Sequence, residues 1–73
     1  MFHRVAFRVE ALVFGEFLQR LPDLDLTDDR GRQVTAELVV DHEASYSIYF
    51  CDPFGHRLEL TTYDYEQTKA ELP

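Results

Sequence analysis

The chain has no tryptophan, one cysteine, one methionine, three glycines and three prolines, and it sets fourteen acidic side chains against seven lysines and arginines. Each shortage excludes something. A single thiol, Cys51, forms no intrachain disulfide, so a secreted scaffold stapled by bridges is excluded. Cys51 reads instead as a small packed or pocket-wall residue in a reducing cytoplasm. A net charge of −7 leaves no basic stripe for phosphates, which argues against nucleic acid and anionic membranes as partners. No apolar run reaches the ~18 residues of a membrane span. No charged segment followed by an apolar one suggests a signal peptide, so the cytoplasm is the expected compartment.

What remains is apolar bulk in a short chain. The 73 residues are 45% hydrophobic, with six Phe and four Tyr, which favours a folded domain over disorder. A chain this short buries only about 60% of its unfolded surface, so an isolated core is marginal. An oligomer that shares a core is expected.

Periodicity divides the chain. Over residues 2–9, Val5, Phe7 and Val9 share one face and Arg4, Ala6 and Arg8 the other, which predicts a strand with its apolar side toward a core. His3 falls in phase with the valines. Over 11–21 the period lengthens. Phe14, Phe17, Leu18 and Leu21 form the inner stripe of an amphipathic helix, with Glu16, Gln19 and Arg20 outward and Pro22 as its stop. Gly15 costs such a helix roughly 1 kcal/mol against alanine, so close packing is expected there. Residues 23–33 are a polar loop with a turn at Asp28-Asp29-Arg30-Gly31. Its aspartates lack the ordered spacing and terminal glutamate of a calcium loop and read as solvated.

Residues 33–40 are rich in β-branched side chains and predict a second strand. Strands over 46–51 and 56–62 then form a hairpin about Asp52-Pro53-Phe54-Gly55, where Pro53 presets φ and Gly55 accepts a positive one. His56 reads as a solvent-facing cap of that turn. Residues 66–73 read as a polar surface tail. No internal repeat, linker or low-complexity tract is present. The expected fold class is α+β: a single βαβββ module over 1–65, with a mixed four-stranded sheet and one helix on one face. A right-handed crossover makes the first strand parallel to the second and lets it lie beside the last.

Glu59 is the informative residue. Flanked by Leu58 and Leu60 in a strand, it faces away from them, and Tyr49 from the partner strand shares that open face. His42 lies just upstream, so acid, phenol and imidazole are expected on one surface.

The stretch Tyr49-Phe50-Cys51-Asp52-Pro53-Phe54-Gly55-His56-Arg57-Leu58-Glu59-Leu60 resembles the closing hairpin of the vicinal oxygen chelate superfamily. That group includes glyoxalase I, bleomycin-resistance proteins and extradiol ring-cleaving dioxygenases. Asp41-His42 before the hairpin and Thr61-Thr62-Tyr63-Asp64-Tyr65 after it lean toward the dioxygenase-like branch. The resemblance runs from about His3 to about Tyr65 and covers one module, similar to the C-terminal half of a family domain.

The resemblance implies two paired modules around a shared site, here a homodimer. It makes Glu59 the metal ligand of the last strand, and it makes Tyr49 and His42 catalytic or substrate-binding residues that bond substrate oxygens or dioxygen. Val5-Ala6-Phe7-Arg8-Val9 matches the family's first strand, but Arg4 stands where the family has a ligand histidine. Arginine cannot ligate a metal. His3, one place early, points to the opposite face unless the strand is bulged.

An Arg4–Glu59 ion pair is therefore expected in the metal's place, with Arg4 also a substrate-binding residue. No cofactor is expected; the alternative is a divalent iron, manganese, zinc or nickel ion. The implied function is a shared cavity for a small aromatic or vicinal-oxygen compound. A metal-dependent dioxygenase or lyase is the alternative, and a fragment serving dimerisation alone is a second one. Whether the protein is an enzyme stays open at this stage.

Overall fold

Alternating segments from both ends of the chain build one sheet. The structure is a computed structural model that describes residues 4–72, with Arg4 described by its backbone alone. Strand β1 (Arg4–Arg8) leads into helix α1 (Ala11–Leu24). A short 3-10 helix (Ala36–Leu38) precedes β2 (Val40–Asp41), and the hairpin strands β3 (Tyr46–Cys51) and β4 (Arg57–Thr62) follow. Helix α2 (Tyr65–Glu71) ends the described chain. The strand order is β1-β4-β3-β2, with β1 parallel to β4 and the other neighbours antiparallel, so the fold is α+β with a mixed four-stranded sheet. The pairings make β1 and β2 run parallel, with β1 beside the last strand, as the crossover rule predicts.

The turn chemistry of the hairpin is as the residues dictate. Gly55 takes φ +86° and donates its N–H to the Asp52 carbonyl at 3.0 Å. Asp52 Oδ1 accepts the N–H groups of Phe54 and His56, which locks the loop locally. The resulting register sets Ile48 against Leu60 and Phe50 against Leu58. From α1, Ala11, Phe14, Leu18 and Leu21 form the buried stripe, and Phe14 and Ile48 are fully buried. Phe17 meets Phe50 with ring centroids 5.2 Å apart. Burial on this scale stabilises by about 1.5–3 kcal/mol per large side chain.

The structure corrects several expectations. Helix α1 continues past Pro22 to Leu24: proline forfeits one helical donor, yet Asp25 in the left-handed region closes the end through its N–H to the Leu21 carbonyl. Residues 33–40 do not form a continuous strand. The outer edge of β3 is already taken at Cys51, whose N–H bonds the Thr27 carbonyl at 2.7 Å. Val34 is buried, Ala36–Leu38 turns as a 3-10 helix, and pairing with β3 resumes only at Val40. Val5 and Phe7 are 47% and 49% exposed rather than buried, because β1 is the outermost strand; only Val9 packs on the core.

The polar tail is in fact α2, a second helix on the face of the sheet that carries α1. Tyr65, Thr68 and Leu72 form its inner stripe, and the Tyr65 ring stacks on Tyr46 at 4.8 Å. Just before α2, Asp64 Oδ2 accepts the Ala11 N–H at 2.9 Å. Helix α1 has no side-chain cap from Glu10 and takes this partner from the far end of the chain instead. His3 lies outside the described residues. Among the described residues, no helix is long and apolar enough to cross a membrane.

Candidate functional site

Both helices pack on the side of Ile48 and Leu60, and the opposite side of the sheet carries the chemistry. Strand parity alone puts Ser47, Tyr49 and Cys51 of β3 on that open face, facing Thr61, Glu59 and Arg57 of β4. Tyr49 and Glu59 are direct cross-strand neighbours, so their Cβ atoms lie roughly 4.5–5.5 Å apart. Beneath them runs a short hydroxyl relay. Thr61 Oγ1 donates to the Tyr46 carbonyl at 3.0 Å, and Ser47 Oγ lies 2.9 Å from Thr61 Oγ1 and 3.2 Å from Glu59 Oε2. Ser47 has one proton to give, so it donates to one of the two acceptors at a time.

His42 reaches the same face. Its Nε2 lies 3.2 Å from the Tyr49 hydroxyl. A tight turn holds it there. His42 donates its N–H to the Ser45 carbonyl, Glu43 sits at φ +69°, and Asp41 Oδ1 accepts the Glu43 N–H at 2.7 Å. The other Asp41 oxygen accepts the Tyr65 hydroxyl at 2.9 Å, tying the turn to α2. The Glu43 N–H is the main reason the Asp41 carboxyl titrates below the ordinary range, aided by Tyr65. The same bond holds the Tyr65 proton on, and its pKa lies well above the usual tyrosine value.

At the hairpin end, the 25–33 loop closes the rim. Asp28 accepts the N–H groups of Arg30 and Arg32 and pairs with the Arg32 side chain, which lowers its pKa. Asp29 pairs with Arg57 at 3.2 Å. Between this loop and the sheet lies a recess of about 90 Å³ bounded by Asp29, Tyr49, Cys51 and Arg57. Small-molecule sites span about 300–1,000 Å³, so this recess in one chain is too small for a ligand of ring size. His56, at the tip of the hairpin, is exposed and sets its Nδ1 2.8 Å from Asp52 Oδ2.

The sequence-predicted set is thus partly assembled. Tyr49, His42 and Glu59 share one surface, with Cys51 in its wall; the Arg4 side chain, and with it the Arg4–Glu59 ion pair, lies outside what is described. Ser47, Thr61 and the Asp29–Arg57 pair were missed. Ser47 and Thr61 are in phase with Tyr49 and Glu59, so parity was a signal for them, whereas nothing local joins Asp29 to Arg57. Among the described residues, no three His, Cys, Asp or Glu side chains converge closely enough to hold a metal ion. Comparison of the chain with models of protein families, with curated proteins and with solved structures finds no match.

Proposed function

We propose that two copies of this chain pair so that their open sheet faces share a cavity for a small aromatic or vicinal-oxygen compound, the arrangement implied by the hairpin's resemblance to the vicinal oxygen chelate superfamily. The observation that carries this reading is the Tyr49–His42 pair beside Glu59, a hydrogen-bonding array on a face that neither helix covers. The half-exposed Val5 and Phe7 on outermost β1 add support, since an uncovered apolar edge strand favours association. Two-fold pairing is self-complementary and would double the array.

In that cavity Tyr49 and His42 bond adjacent ligand oxygens, and Glu59 accepts from a ligand hydroxyl. Arg4 belongs to the set on sequence grounds. The compartment proposed is the cytoplasm, in keeping with a lone thiol at Cys51. Glu59 also stands where the resemblance puts a metal ligand, so a divalent-metal dioxygenase or lyase is the second reading.

Titrating the protein with catechol, and separately with its 1,3-isomer resorcinol, tests the proposal by calorimetry. Catechol is expected to bind in preference to resorcinol, at one or two sites per dimer, and Tyr49→Phe to weaken it about tenfold, the worth of one hydrogen bond. Binding that appears only after adding iron, manganese, zinc or nickel, and is lost in Glu59→Ala, favours the second reading. A monomer at micromolar concentration with no affinity for either diol refutes both.

A further inference from the structure

Among the described residues, β1 pairs with β4 alone, so its other edge is open. Val9 donates its N–H to the Thr61 carbonyl at 2.9 Å, and backbone direction alternates along a strand, so Val5, Phe7 and Val9 turn their polar groups toward β4. Ala6 and Arg8 therefore turn theirs away from the sheet. Little blunts this edge. No proline or bulge interrupts Arg4–Arg8, and the charged residues stand only at its two ends. Between them the half-exposed Val5 and Phe7 lie along the strand. A row of outward backbone groups beside an apolar strip fits an extended strand, and a second copy of the chain supplies one.

Charge selects the register. In a two-fold antiparallel pair, the outward groups of one copy meet the outward groups of the other. Centring the pair on Ala6 sets Arg4 of each copy opposite Arg8 of the other, and centring it on Arg8 sets that residue opposite itself. Like charges directly opposed are destabilising. Centring on Val5 pairs only Arg4 to Ala6 of the described residues. Centring on Phe7 avoids each of these faults. Ala6 of each copy then exchanges backbone bonds with Arg8 of the other, Phe7 meets Phe7 at the closer, non-hydrogen-bonded spacing, and Val5 meets Val9. At either end Arg4 comes opposite Glu10, which is exposed and extended. Ala6 is small, so the Arg8 guanidinium facing it keeps its place 4.5 Å over the Tyr63 ring. We infer that two copies join edge to edge through β1, antiparallel and centred on Phe7. This interface rests on the dimer of the function proposed above and gives that dimer its location: both open faces lie side by side on one side of a continuous sheet, with the helices on the other.

Cysteine cross-linking of the full chain reads the register. In a Cys51→Ser background, Phe7→Cys sets two thiols on Cα atoms about 4.5 Å apart, within disulfide range, and mild oxidation should yield a covalent dimer. Ala6→Cys sets its thiols on diagonal positions about 7–8 Å apart and should stay unlinked. Ala6→Pro removes an outward donor and no bond to β4. It should therefore keep the wild-type circular dichroism while dimerising at least about thirtyfold more weakly in sedimentation, the worth of two hydrogen bonds. A wild-type dimer that Phe7→Cys fails to link, or that a folded Ala6→Pro leaves intact, overturns this interface and leaves the shared cavity standing. Linkage through Ala6→Cys in its place overturns the register. A wild-type monomer overturns both proposals. A dimer that links through Phe7→Cys yet binds neither catechol nor resorcinol upholds the interface and refutes the cavity.

Discussion

Replacing Ser47 by alanine probes how the open face is held. Ser47 is 1% exposed, and its hydroxyl lies within reach of two acceptors, Thr61 Oγ1 and Glu59 Oε2. Removing it takes away the one proton that these two acceptors share, which should cost about 1.5–2 kcal/mol. Thr61→Val removes a bond to the Tyr46 carbonyl but leaves Ser47 free to donate to Glu59, so about 0.5–1 kcal/mol is expected. Because Ser47 and Thr61 share one relay, the double variant should cost about 0.5–1 kcal/mol less than the sum. Urea unfolding followed by circular dichroism at fixed protein concentration measures all four corners, with unchanged m-values as the control. For a domain holding on the order of 5 kcal/mol, these losses are large enough to resolve. If Thr61→Val costs as much as Ser47→Ala, or the two add within about 0.3 kcal/mol, the relay is not a unit and the reasoning fails.

Other expectations are simpler to check. Ile48→Ala, at a fully buried position against Leu60, should cost about 2–5 kcal/mol and leave the domain mostly unfolded by circular dichroism at ambient temperature. Sedimentation should give about twice the 8.6 kDa chain mass for the wild type and a monomer for Phe7→Glu; a folded wild-type monomer counts against the shared cavity. Partial burial opposes ionisation of Asp52, but the His56 N–H and ring and the Phe54 N–H outweigh it and hold the carboxyl below its ordinary 3.8. Its contribution is therefore present above pH 3.8 and lost as pH falls through the lower folded value, a slope that Asp52→Asn should flatten in acid melting curves.

Tyr65 has the opposite sign. The Asp41 bond raises its pKa above 10.0, so its contribution is present below pH 10.0 and lost at higher pH, and Tyr65→Phe should remove that alkaline loss. Wild-type protein purified without added metal is expected to carry no stoichiometric iron, manganese or zinc by elemental analysis. Arg4→His, which restores the family's ligand type, should create affinity for them.

Local information was enough wherever the controlling interactions are local. Period-two alternation with Asp52-Pro53-Phe54-Gly55 between determined the hairpin, its register and the side on which Glu59 and Tyr49 stand, because one residue of slip would turn Ile48 and Leu60 out of the core. The Phe14–Leu18–Leu21 stripe determined α1 for the same reason. Tertiary structure decided whatever depends on residues far apart in the chain. Residues 33–40 contain a strand's residue types, but Thr27 already occupied the β3 edge they needed. Residues 65–71 are too few and too polar to announce a helix, and α2 forms because Tyr65 stacks on Tyr46 and bonds Asp41. Val5 and Phe7 carry a core pattern, yet the strand order leaves them on the rim. Packing of α2 against α1 decided the burial of Thr68, because no spacing along the chain encodes a contact between two helices so far apart in sequence.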